Sequence, residues 1–297
     1  MATVQRVAQT ITTFVKTPDG RNLCVESGGD PSGRVVLSLH GWPGSRIHPE
    51  YVFDAAEQGG IHLLGYDRPG YGGSSPHPTR SVASCAQDVR TIARSLGFDR
   101  LGICGASGGG PHALAVGALL PDLAAGVAAV CSLAPRDARG LGYLAGMQAE
   151  ISQIHRWFDD DFDAVRRWAT SYRTEVEEYT PEQIEQLAAE QYPDADVPRS
   201  FLRSYTETMQ SALAPGIDGL IDDGIALHGD WNFEVGTIGT PVRLWSGAAD
   251  LHVPLTHSEW LAAQLPGATL ESGYKGGHLE IIAIALPDAH RWLSGCA

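Results

Sequence analysis

Apolar positions change rhythm along the chain in a regular order, and that order predicts an alternating α/β architecture. Residues 11–17 and 22–27 alternate apolar and polar side chains around Pro18-Asp19-Gly20, the pattern of two strands joined by a turn. Residues 34–40 (RVVLSLH) form a short apolar run, as expected of a strand covered on both faces. A helix is expected over 49–58 and a buried strand over 61–66. The next helix is expected from Ser81, as N-cap, to Leu96, with Val82, Cys85, Val89, Ile92 and Leu96 on one face and Gly97 closing it. A third buried run at 101–104 leads into a helix over 108–120, and a fourth run covers 127–133. Short links between such elements imply a mostly parallel sheet with helices on both faces. The rhythm stops at Pro135. It resumes near Pro241 with a strand over 242–246, a helix over 256–265, a strand over 269–272 and a last helix over 278–293.

The interval 136–230 differs in kind. Its periodicity is helical, and Trp157, Phe158, Phe162, Trp168 and Tyr172 recur among acids. It carries 19 acidic residues against 8 arginines, a net charge of −11. We read it as a helical cap insertion in a core made of 1–135 and 231–297. An acidic cap over a site entrance predicts a preference for neutral, apolar or cationic substrates over anionic ones.

Composition narrows the class. At 297 residues, with 43 % hydrophobic and 19 % charged positions, the chain is globular and long enough to bury a core without metal or disulfide staples. The net charge of −14 argues against nucleic acid and anionic membrane as partners. No run reaches the ~18 apolar residues of a membrane span, and the first residues lack a signal-peptide core. Five dispersed cysteines show neither CxxC nor a metal-ligand rhythm, so free thiols in a reducing cytoplasm are expected.

The chemistry gathers at Gly105-Ala106-Ser107-Gly108-Gly109, between a buried strand and a helix. A serine on so sharp a turn projects its hydroxyl from the sheet edge, with a helix N-terminus behind it. At neutral pH that hydroxyl needs a base, and the base needs an orienting acid. His278, in Gly276-Gly277-His278, and Asp250, in the turn after the strand at 242–246, both fall at strand C-terminal ends, the same edge as Ser107. Asp137, just after the fourth apolar run, is the rival acid. The loop His40-Gly41-Trp42-Pro43-Gly44 follows another strand, so the backbone N–H groups of Trp42 and Gly108 are the candidates for an oxyanion hole. Trp42, His252, Trp157 and Trp168 are candidate pocket residues, with Tyr172 beside them. His40 is expected under its loop and His112 inside a helix. No metal spacing exists, and no cofactor is expected.

HGWPG at 40–44, YDRPGYGGS at 66–74, GASGGG at 105–110, SGAADLHVP at 246–254 and GGHLE at 276–280 together resemble the α/β-hydrolase superfamily, in its branch of capped esterases, haloperoxidases and epoxide-hydrolase-like proteins. The resemblance covers roughly 10–135 and 236–293. It implies an eight-stranded sheet, a cap after the sixth strand, a Ser107–His278–Asp250 triad, and structural roles for Asp67, Arg68 and Gly70. Two departures matter. Epoxide hydrolases of this branch carry an aspartate nucleophile where this chain has Ser107, and proline iminopeptidases carry a tryptophan where it has Gly108. The expected activity is therefore a cofactor-free serine hydrolase acting on a small, neutral or apolar carboxylic ester, lactone or thioester. Hydroxynitrile lyases and perhydrolases of similar fold use the same constellation on other substrates, and a small-molecule receptor on this fold is the non-enzymatic alternative.

Overall fold

The structure, a computed structural model, describes residues 10–180 and 199–296, with 182–184, 186 and 197 between them. Eight strands form one sheet in the order β1-β2-β4-β3-β5-β6-β7-β8. They are β1 (Ile11–Lys16), β2 (Asn22–Gly29), β3 (Arg34–Leu39), β4 (Ile61–Tyr66), β5 (Leu101–Ala106), β6 (Ala124–Val130), β7 (Val242–Gly247) and β8 (Thr269–Tyr274). Strand β2 runs antiparallel to β1 and β4, and all later pairs are parallel. Parallel pairing requires crossovers, and helices α1 (Glu50–Gln58), α2 (Ser84–Leu96) and α3 (Gly109–Leu119) supply the first of them.

The apolar runs are unbroken because both faces of the central strands are covered. On β5, Leu101 and Ile103 pack under α2 and α3, while Cys104 and Ala106 face α1 and the C-terminal helix. On β6, Val127 and Ala129 divide from Ala128 and Val130 in the same way. The remaining core helices are α8 (Leu255–Gln264) and α9 (His278–Ser294).

Several boundaries differ from the sequence reading by one to three residues, and two of them have a visible cause. Helix α2 starts at Ser84, because residues 81–83 form a turn in which the Ser84 hydroxyl accepts from the Ser81 N–H at 3.0 Å. The fourth run pairs as Ala124–Val130, three residues earlier than 127–133, with Ala124 opposite Leu101. Its small residues carry no mark of where pairing stops. The strand ends where Cys131 takes a left-handed φ of +48°.

Between β6 and β7 the described residues hold α4 (Ala149–Asp160), α5 (Phe162–Glu178), α6 (Arg199–Leu213) and α7 (Asp218–His228). The Asp161 side chain caps α5 by accepting from Ala164 N–H at 2.9 Å. These helices share an apolar cluster of their own, built on Val165, Ala169, Met209 and Leu220, which also buries Tyr71 from the core.

Candidate active site

Ser107 stands where β5 turns into α3, and the turn is tight enough to force its φ to +53°. Its N–H donates to the Val130 carbonyl at 2.8 Å, and its carbonyl accepts from Gly110 N–H at 2.9 Å. The flanking glycines are steric requirements. A Cβ on Gly105 would lie 2.2 Å from the Gly109 carbonyl oxygen, and one on Gly109 would lie 2.3 Å from that of Leu39. The result is a half-buried hydroxyl at the sheet edge with a helix N-terminus behind it.

The Ser107 Oγ lies 3.0 Å from His278 Nε2, and His278 Nδ1 lies 2.7 Å from Asp250 Oδ2. A carboxylate only accepts, so Nδ1 carries the hydrogen and Nε2 presents its lone pair to the serine. The other Asp250 oxygen accepts from the N–H groups of His252 and Val253 at 2.9 and 2.8 Å. Burial raises the Asp250 pKa, but the neighbouring His278 and these hydrogen bonds outweigh it and hold the carboxyl below its usual range. The buried Cys131 thiol also bonds Asp250, and burial keeps that thiol protonated. Asp137 is exposed. Among the described residues, Cys131, Asp250 and His278 are close enough to be considered as metal ligands. A protonated thiol, a carboxylate engaged at both oxygens and an imidazole bonded at both nitrogens do not suit an ion.

The loop at 40–44 is held from beneath. Arg68, fully buried, donates to the carbonyls of His40 and, at 2.7 Å, Gly41. Its other side binds Asp223 of α7 at 2.6 Å, and Arg80 binds the same carboxylate. Arg68 N–H donates to His40 Nε2 at 3.0 Å, which fixes the hydrogen on Nδ1, facing the Gly41 carbonyl at 2.8 Å. Asp67 accepts from the N–H groups of Arg46 and Gly73, so the next turn is tied as well. The Trp42 indole N–H reaches the Leu220 carbonyl on α7 at 2.8 Å. Residue 108 sits against Trp42: a Cβ there would be 3.1 Å from the Trp42 nitrogen and 2.5 Å from its Cβ. Among the described residues neither the Trp42 nor the Gly108 N–H donates to another backbone group, and both residues line the same cavity as Ser107. Nothing in the spacing of Asp223 or Arg80 marks them in the sequence; only the approach of α7 to the core brings them together.

Above Ser107 lies a cavity of about 390 Å³. Trp42, Trp168, Tyr172, His252 and His278 line it, as do Phe201, Ser204, Tyr205, Thr208 and Met209 of α6, spaced as one helix face. His252 stands 5.0 Å from His278, ring to ring. Trp157 corrects an expectation. Ile151, Ile154 and His155 present one face of α4 to the cavity, and Trp157 lies about 120° around the helix, against the apolar cluster of the insertion. Among the described residues that line it there is no lysine, arginine, aspartate or glutamate. Glu175, Glu177 and Glu178 of α5 are exposed.

Burial leaves several histidines neutral. It pushes His112 and His290 down to about 3 and His228 to about 4, and it holds His40 well below its ordinary value. The unfolded chain takes up protons below about pH 6.5, where these native rings do not. Stability is therefore expected to be full above that pH and to fall steadily from about pH 6.5 towards 4. Urea midpoints measured across this range test it, and a constant midpoint between about pH 7 and 5 would contradict it.

Comparison with known proteins accords with this geometry. The family model described as the alpha/beta hydrolase fold matches residues 34–282. The AB hydrolase superfamily protein YisY of Bacillus subtilis is 31 % identical over 102 residues, which is 34 % of this chain and 37 % of that protein. This chain thus matches only about a third of the length of that relative. A pimeloyl-[acyl-carrier protein] methyl ester esterase of Chromobacterium violaceum is 28 % identical over 268 residues, 88 % of this chain and 93 % of that one. A bromoperoxidase structure from Bacillus anthracis superposes with a TM-score of 0.67 at 18 % identity, covering 96 % of this chain and 98 % of that one. On the family match, which takes in the sheet from β3 to β8 and all three residues of the Ser107–His278–Asp250 line, the chain belongs to the alpha/beta hydrolase fold family.

Proposed function

We propose that the protein is a serine hydrolase that cleaves small, neutral carboxylic esters, lactones or thioesters through an acyl-enzyme. The observation that carries this reading is the unbroken line Asp250–His278–Ser107, with contacts of 2.7 and 3.0 Å, at the floor of an apolar cavity. His278 Nε2 takes the Ser107 proton as Oγ attacks the substrate carbonyl. The developing oxyanion meets the N–H groups of Trp42 and Gly108, backed by the N-terminus of α3. Arg68 holds the carbonyls just before Trp42, so that N–H stays in place without reorganisation. The imidazolium, steadied by Asp250, then protonates the leaving alcohol or thiol. Water repeats the sequence on the acyl-enzyme and releases the acid. The helical cap closes the cavity over the acyl group. A peptidase reading is disfavoured, because a tryptophan at 108 would collide with Trp42. The methyl ester esterase among the relatives lends the ester class support.

A fluorophosphonate probe followed by peptide mass spectrometry tests the reading. Ser107 should carry the label, and an unlabelled Ser107 in folded protein would refute the proposal. The acid is tested separately. Asp250→Asn should lower kcat by on the order of 10³–10⁴, because the imidazole then favours the wrong tautomer. Asp137→Asn should be nearly silent, and the reverse ranking would reassign the acid.

A further inference from the structure

The mechanism leaves unused a pair of histidines, one buried (His155) and one half-buried (His228). His155 on α4 and His228 on the last turn of α7 meet with ring nitrogens 2.8 Å apart. The position of each hydrogen follows from a third contact. His228 Nδ1 lies 2.7 Å from the Gly224 carbonyl, which can only accept, so Nδ1 carries the hydrogen. Both rings are neutral at ordinary pH, since burial is the main cause pulling each pKa down. His228 Nε2 is then an acceptor, and the hydrogen between the rings belongs to His155 Nδ1. His155 Nε2 keeps its lone pair, and no hydrogen bond joins it to a described residue.

That ring lines the same cavity as Ser107. It stands 6.0 Å, ring to ring, from Trp42, whose own N–H faces the reacting carbonyl in the proposed mechanism. Two other polar groups on the wall are engaged: Thr208 donates its hydroxyl hydrogen to the Ile47 carbonyl at 3.0 Å, and His252 Nε2 accepts from Gln148 at 3.1 Å. His155 Nε2 is thus an acceptor fixed by a relay that ends on backbone, in a residue that lines a mainly apolar cavity. A substrate that covers it without supplying a hydrogen leaves a desolvated acceptor unpaired.

Building on the serine hydrolase reading, we infer that His155 selects substrates whose ester, lactone or thioester group is accompanied by a hydroxyl or N–H donor some atoms away. The probe is a set of methyl esters: hexanoic acid and its monohydroxylated derivatives at each carbon beyond the α position. At least one hydroxylated member should exceed the parent about tenfold or more in kcat/KM with the wild type, and in affinity for Ser107→Ala by calorimetry. His155→Phe should bring that ratio close to one. A preference for no hydroxylated member, or a preference unchanged in His155→Phe, would overturn the inference. Histidine ¹⁵N shifts of the wild type give a check that needs no variant to fold: His155 should be protonated at Nδ1 and bare at Nε2, and the opposite tautomer would overturn it. The binding and tautomer readings do not depend on turnover. Loss of fluorophosphonate labelling would therefore count against the hydrolase reading alone.

Discussion

Ser107→Ala is expected to lower kcat on a small ester by about 10⁴- to 10⁶-fold while leaving the protein folded. The substitution removes one oxygen whose contact is with His278 Nε2, and it keeps the Cβ that the strained turn already accommodates at a φ of +53°. The line from Asp250 to His278 is untouched, and the two N–H groups proposed for the oxyanion would still be in place. A residual rate above uncatalysed hydrolysis is therefore expected. Steady-state kinetics on purified protein, with thermal unfolding as the control, decide the matter. Retention of more than about a tenth of the activity with an unchanged melting profile would mean that another group attacks.

Asp223→Ala is expected to have the largest effect on stability, a loss of about 3–5 kcal/mol. The carboxylate is fully buried and pairs with Arg68 and Arg80, whose side chains are 1 % and 3 % exposed. Truncation leaves two guanidinium groups in the interior with no counter-charge, and water has no easy route to them. The damage should reach the site, because Arg68 also holds the carbonyls of His40 and Gly41, just before Trp42. Both the urea midpoint and kcat/KM should fall. Replacing Arg68, Arg80 and Asp223 together with apolar residues of similar volume should recover much of the stability but not the activity, since the loop at 40–44 would lose its tether. A loss below about 1 kcal/mol for Asp223→Ala would show that the cluster is solvated or can rearrange.

Much of the core was legible because local chemistry there is strict. A strand covered on both faces must be apolar throughout, and the strands before β8 appear in the sequence as runs or alternations, whereas β8, TLESGY, is largely exposed and has neither pattern. The turn carrying Ser107 was legible for a related reason. It can be built only with glycines at 105 and 109, where any Cβ would strike backbone. The end of β6 was not legible, since Ala124–Val130 and the residues after it are equally small and equally buried, and only pairing with β5 and β7 sets the register. Ser81 has the residue type of an N-cap, but the turn it opens delays the helix to Ser84.

The sequence by itself determined the fold class, the serine, histidine and aspartate that line up, and the loop that follows β3. Each depends on contacts between residues close in the chain, or on a strand end that topology must bring to one edge. Tertiary structure alone decided which cap residues face the cavity. A helix presents several stripes, and packing on the core chooses among them: it turned Trp168 inward and Trp157 away. It also decided that Asp223, one of 19 acidic residues in the interval 136–230, is the one buried against Arg68 and Arg80, and that His155 meets His228. Those pairings join residues 73 to 155 positions apart, a separation across which no local pattern in the chain carries information.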